Sequence, residues 1–430
     1  MDWREKYKDK IVTPEEAVKC IKSGDKVVVG QINGISTLLI DAMCQRADEL
    51  EGVCVYSSLS YKKEPYLNEK YRGKFIHMAE FVYPGARESY KTGMTQFTPL
   101  FFHEFPRYFR EVVKPEVSFV MVSEPDENGI CSFLMNADFI YECTQVSKNL
   151  ILHINPAMPR TRGVSVSLDD ATYIVEAREE PTNIKMGNPG VIEEMIARHI
   201  VPYIDDGATL QLGIGAIPDF ILSLLDNKKD LGIHTELFAD GVVDLYKKGV
   251  ITNAKKNIDV GKIVATCFFG TQKLIDFVHN NDDVILMPVD YTNNPYIIAK
   301  NDKVVSINSC LEVDLLGQVN SDTLNGNPFS GVGGQVDFVR GARMSKGGQS
   351  FITMPSAAAK GKVSRVVGNL GPGSPVTTSR FDVDNIVTEF GIAKMWGRTI
   401  QQRAKALIKI AHPDFREQLE RDAHNAGILK

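Results

Sequence analysis

The chain has 430 residues, 43% of them hydrophobic and 24% charged, with a net charge of −5. That length suits two domains, and the composition supplies apolar material for two cores. The mild negative charge gives no reason to expect nucleic acid or an anionic membrane as partner, and the seven cysteines and eight histidines are too dispersed for a metal site.

In chain order, the opening MDWREKYKDK is charged and lacks the apolar core of a signal peptide, and no apolar run nears the roughly 18 residues of a membrane span. A cytoplasmic protein with reduced thiols is expected. PEEAVKCIKSG follows as a helical pattern with Pro14 at its first position. Residues 23–43, SGDKVVVGQINGISTLLIDAM, show a glycine turn at Gly24, an apolar strand, Gly30, a short loop and an apolar-periodic helix. The strand EGVCVYSS comes next. VSFVMVS, NLILHIN and ATYIVEA are apolar runs suited to buried strands. AREEPTNIKMGNPG, residues 177–190, reads as a joint, which sets two domains at 1–185 and 186–430.

Beyond the helix VIEEMIARHIVPYI the pattern repeats. Residues 206–225, DGATLQLGIGAIPDFILSLL, again give a glycine turn (Gly207), a strand, a glycine six positions on (Gly213), a loop and a helix. LGIHTELF is the matching second strand. KIVATCFF, DVILMPV and KVVSINS are further strands, and two amphipathic helices meet at His412-Pro413 near the end. Strand–loop–helix–strand in both halves predicts two tandem α/β domains of similar topology with mainly parallel sheets.

Four stretches carry candidate chemistry. In GIHTELFADG the position matching Tyr56 of the first half is Glu236, a carboxylate in an apolar run at the end of a parallel strand, where open α/β sheets place their sites. It is either turned to solvent or poised as a nucleophile, since partial burial strips its hydration. The loop Gly213-Ile214-Gly215-Ala216-Ile217 can leave main-chain N–H groups free for a phosphate or an oxyanion, or simply make a tight turn. FSGVGGQVDFVRG, with Gly333 and Gly334, reads as a closely approached backbone followed by an alternating strand with Asp337 and Arg340. Asn293 and Asn294 in YTNNPY, and Lys360 in SAAAKGK, are polar positions that also suit plain turns. GIGAIP with Glu236 some 20 residues on leaves a nicotinamide-dependent oxidoreductase as an alternative, although Pro218 departs from the dinucleotide fingerprint.

LGIHTELFADGVVDL, QLGIGAIPD, FSGVGGQVDFVRGA and VTEFGIAKMWG…RAKALIKIAHPDFREQL together resemble the acetyl-CoA hydrolase/transferase family, nearest to its 4-hydroxybutyrate and butyryl-CoA:acetate CoA-transferases. The resemblance implies tandem α/β domains, no permanent cofactor and no metal, with coenzyme A as co-substrate. It puts the nucleophile at Glu236, CoA contacts at Gly213–Ile217, and oxyanion and CoA contacts at Gly333 and Gly334. By looser alignment it adds Asn293, with Asn294 as rival, and Lys360. It further implies acyl-CoA and short-chain carboxylates (4-hydroxybutyrate or butyrate with acetate) as partners, and a homodimer or higher assembly. The duplication itself suggests that Gln31 and Asn33, in the first-half loop, face the acyl end. An acyl-CoA hydrolase on the same scaffold stays open beside the transferase.

Overall fold

The computed structural model describes residues 2–183 and 190–430, so the expected domain boundary at 185/186 lies outside the described residues. The chain divides into two units. The first comprises Met1–Ile184 with Ala265–Tyr291 and Phe329–Gly331, and the second takes Lys185–Val264, Thr292–Pro328 and Val332–Lys430.

The first unit is built on a seven-stranded sheet: β1 (Lys26–Val29), β2 (Val53–Tyr56), β3 (Phe75–Ala79), β4 (Thr95–Phe97), β5 (Val117–Val122), β6 (Asn149–Ile154) and β7 (Tyr173–Glu176). Their spatial order is β7-β6-β5-β1-β2-β3-β4, and every pairing is parallel. Helix α1 (Thr37–Gln45) returns the chain from β1 to β2. Its Leu39, Ile40 and Met43 pack on Val27, Val29, Val53 and Val55. Nearly continuous β-branched strands are what a sheet buried on both faces requires.

The second unit repeats the scheme. Its sheet holds β8 (Thr209–Leu212), β9 (Gly232–Ile233), β10 (Val304–Ser309), β11 (Gln349–Thr353), β12 (Asn385–Thr388) and β13 (Gly391–Lys394), in the order β9-β8-β10-β11-β12-β13. All pairings are parallel except the final hairpin of β12 with β13. Helix α2 (Val191–Ile200) leads into it, α3 (Ala216–Ser223) follows β8, and α4 (Asp240–Lys247) follows β9. Val313, Leu315, Ile352 and Ile386 form its core with residues of two closing helices.

One element differs from expectation. The segment read as an alternating strand after Gly334 is a helix, α5 (Gln335–Met344). Val336 with Val339, and Phe338 with Ala342, are buried at helical spacing, so two overlapping turns outweigh one short alternation. Gly341 permits the close packing: a Cβ there would lie 2.5 Å from Ile298 Cγ2. The closing helices, α6 (Ile400–Ile410) and α7 (Pro413–Asn425), fall as the sequence predicts, with His412 capping α7 and Pro413 in its first turn. No helix among the described residues is long and apolar enough to cross a membrane.

Candidate active site

Strand order in the second sheet reverses at β8, because the chain adds β9 on one side and β10 through β12 on the other. The carboxyl ends of β8 and β10 therefore mark the crevice where open α/β sheets bind ligands. Gly213, Ile214 and Gly215 leave β8 there, and Ala216 opens α3. Gly215 has φ +127°, which only glycine adopts readily, and a Cβ at that point would meet nothing within 4 Å. The loop is thus open above its own backbone. Ile217, one turn into the helix, is buried. Burial, together with the nearby Asp240, raises the Asp219 carboxyl above its ordinary range.

Glu236 lies in a bend three residues beyond β9, half-buried rather than inside the strand run that the sequence suggested. The bend is anchored on every side. His234 N donates to Leu210 O and Thr235 N to Val264 O. Thr235 Oγ1 stands 3.2 Å from Leu212 O and 2.9 Å from Leu237 O, tying the bend to the end of β8. Lys256, 4% exposed, donates from Nζ to Ile233 O at 3.0 Å and Lys262 O at 2.7 Å. Its stem crosses Gly232, where a Cβ would come within 2.7 Å of Lys256 Cγ. Burial pushes the Lys256 ammonium down to about 8.

Two sequence-distant segments close on the carboxylate. Asn293, fully buried, donates from Nδ2 to Glu236 Oε2 at 2.8 Å, and its Oδ1 accepts from Thr292 Oγ1 at 3.0 Å. Asn294 instead accepts from Tyr296 N and caps the short helix Pro295–Ile298, so the two asparagines have separate work. A Cβ on Gly334 would fall 2.1 Å from Glu236 Oε2 and 2.3 Å from Asn293 Nδ2; one on Gly333, with φ +53°, would lie 3.8 Å from Oε1. No side chain fits at Gly334. The main chain therefore lies directly against the carboxylate, at the positive end of α5.

The other predicted positions have settings of their own. Lys360 stands exposed at φ +60° in the turn between Ala357–Ala358 and Val363–Ser364. Gln31 and Asn33 belong to the first unit. Gln31 Nε2 donates to the buried Asp138 at 2.8 Å, and Asn33 exchanges hydrogen bonds with the Thr182 main chain at 2.9 and 3.3 Å. Asn33 also lines a cavity of about 100 Å³ with Ser60, Lys62, Glu64, Asn155 and Glu179. Sequence reading missed Thr235 and Lys256. A buried lysine has no local pattern, and the threonine looked like any strand residue.

Known proteins resolve the family. The acetyl-CoA hydrolase/transferase N-terminal domain matches residues 1–185 and the corresponding C-terminal domain matches residues 270–423. The chain belongs to the acetyl-CoA hydrolase/transferase family. It is 47% identical over 421 residues to a 4-hydroxybutyrate coenzyme A transferase of Clostridium kluyveri, covering 97% of this chain and 98% of that one. It is 41% identical to a succinyl-CoA:cyclohexane-1-carboxylate CoA transferase of Geobacter metallireducens, covering 99% and 98%. The crystal structure of RipA from Yersinia pestis superposes with a TM-score of 0.95 at 35% identity over the whole of both chains. The protein is accordingly a CoA-transferase, with coenzyme A as substrate and an acyl-CoA and a carboxylate as its reacting pair. The nicotinamide alternative is overturned by this membership.

Proposed function

We propose that the enzyme moves CoA between short-chain acyl-CoA and carboxylate pairs by a ping-pong route through Glu236, with 4-hydroxybutyrate or butyrate exchanging against acetate. The observation that carries it is the Glu236 carboxylate held by Asn293 Nδ2 at 2.8 Å against the bare main chain of Gly334. Attack of Glu236 on the thioester carbonyl gives a mixed anhydride and CoA thiolate. The thiolate then attacks the glutamyl carbonyl, which leaves a glutamyl-CoA thioester and a free acid, and a second carboxylate runs the steps in reverse. Each step exchanges one activated acyl bond for another, so no ATP is consumed.

As charge moves from the glutamate to the substrate oxygen, the Asn293 amide and the main chain at Gly333–Gly334 are the groups beside it. Removing one such donor costs about 10²–10³ in rate in other enzymes. The open loop Gly213–Ile217 supplies CoA contacts, and the exposed Lys360 suits a phosphate of the coenzyme. The substrates named by the Clostridium kluyveri relative support the C4 acid. Incubation with butyryl-CoA in the absence of acceptor tests the route. Intact mass should rise by that of CoA less one water, on a peptide containing Glu236. An enzyme that turns over but carries no adduct, or carries it on another residue, refutes it.

A further inference from the structure

The bend that holds Glu236 carries a second buried polar side chain. His234, two residues earlier, is 1% exposed. Its Nε2 lies 2.9 Å from the Thr292 carbonyl oxygen. A carbonyl only accepts, so Nε2 bears the proton and Nδ1 does not in the neutral ring. Burial, reinforced by the Lys256 ammonium, drives the imidazole down to about 3, against a smaller opposing effect of the Thr292 contact. The ring of Phe338, from α5, meets it edge-on at 6.5 Å.

Thr292 immediately precedes Asn293, and two further hydrogen bonds, from its side chain and from Asn293, join this turn to the bend. His234 donates to Thr292 O, Thr292 Oγ1 donates to Asn293 Oδ1 at 3.0 Å, and Asn293 Nδ2 donates to Glu236 Oε2 at 2.8 Å. The chain leaves the bend at residue 234 and returns to it at residue 236. Asn293 has a single amide to aim, and its direction is set by the turn on which it stands. We propose that His234 is a positioning residue for CoA transfer: it fixes the Thr292–Asn293 turn so that the Asn293 amide meets the reacting oxygen of Glu236. This rests on Glu236 being the nucleophile.

An apolar side chain of similar size at 234 would fill the space and remove the donor, whereas glutamine can place an N–H near the same oxygen. His234→Leu, His234→Gln and Glu236→Gln are compared with butyryl-CoA and acetate, or with acetyl-CoA and 4-hydroxybutyrate if the wild type turns that pair over faster. His234→Leu should lower kcat by about 10- to 100-fold, as misplacement of a reacting group by about 1 Å does, with KM for acyl-CoA held within about twofold. His234→Gln should recover most of kcat. An unchanged kcat in His234→Leu, a loss confined to KM, or equal losses in both His234 variants overturns the positioning role. Glu236→Gln separates the two claims: if it transfers CoA at the wild-type rate the nucleophile is wrong, and if it is inactive while His234→Leu runs at full rate only the role of His234 falls. If His234→Leu does not fold, nitrogen-15 spectra of the wild-type histidines decide. A neutral Nε2–H ring from about pH 5 to 8 is expected, and an Nδ1–H tautomer or protonation in that range overturns the proposal.

Discussion

The two halves of the chain make the same strand–loop–helix turn and use it differently. After β1 the loop seals on itself: a Cβ on Gly30 would lie 2.2 Å from Gly34 O, Ile32 takes φ +55°, and Gln31 is spent on Asp138. After β8 the loop stays open, with nothing within 4 Å of a Cβ on Gly215. The neighbouring strand ends in Tyr56, buried and edge-on to Phe109, in the first unit. In the second it leads through an anchored bend to the half-buried Glu236. One supersecondary unit thus ends in a buried aromatic in one place and in a half-buried carboxylate in another. What differs is what stands at the carboxyl ends of the strands: a cavity lined by Asn33, Ser60, Glu64 and Asn155 in the first unit, and a carboxylate against bare main chain in the second.

The sharpest way to break this contrast is to exchange its two end residues for near-isosteres. Glu236→Gln should lower transfer by at least about 10³-fold, because an amide oxygen is a far poorer nucleophile than a carboxylate. Tyr56→Phe should stay within about threefold of wild type, and a comparable loss in both would erase the distinction. Methyl groups added to the two crowded glycines come next. Gly334→Ala should cost about 10² in kcat by displacing Glu236 Oε2, with little change in melting temperature. Gly30→Ala should instead destabilise by about 1–3 kcal/mol in urea unfolding, through overpacking, while rate per folded enzyme holds.

The smallest effect is the pH dependence that Lys256 adds to the second half. Lys256 titrates in the folded chain at about 8, below its ordinary 10.5, because burial penalises its charge. Between those values the unfolded chain binds more protons than the native one, so this group makes stability rise with pH from about 8 to 10.5. Below about 8 the cost of burying the charge is fully present. Lys256→Met should flatten that rise in denaturant midpoints measured against pH, and a wild-type and variant pair running parallel would show that the ammonium is not paying for its burial.

Much of the scaffold was legible beforehand because it is written locally. The apolar runs at β1, β5, β6 and β10, the glycine turns, and the Pro413 break between the last helices each follow from neighbours within a few residues. The strand expected after Gly334 was misread for a complementary reason. QVDF alternates over four residues, and the helical spacing of the buried Val336, Val339, Phe338 and Ala342, with the close contact of Gly341 to Ile298, favours the helix instead. At the site, Glu236 and the glycine loops could be singled out as candidates. Asn293 could not be told from Asn294, since adjacent positions in one turn differ only in which way they point.

The sequence alone determined two α/β layers, their internal repetition, and the residue types available for acyl chemistry, because strand and helix periodicity and glycine turns are short-range properties. Tertiary structure alone decided that residues 236, 293 and 334, up to 98 positions apart, share one carboxylate's surroundings. It also decided that His234 and Lys256 turn inward beneath them. Which side chain faces which is fixed by packing across the sheet, and no local pattern encodes that.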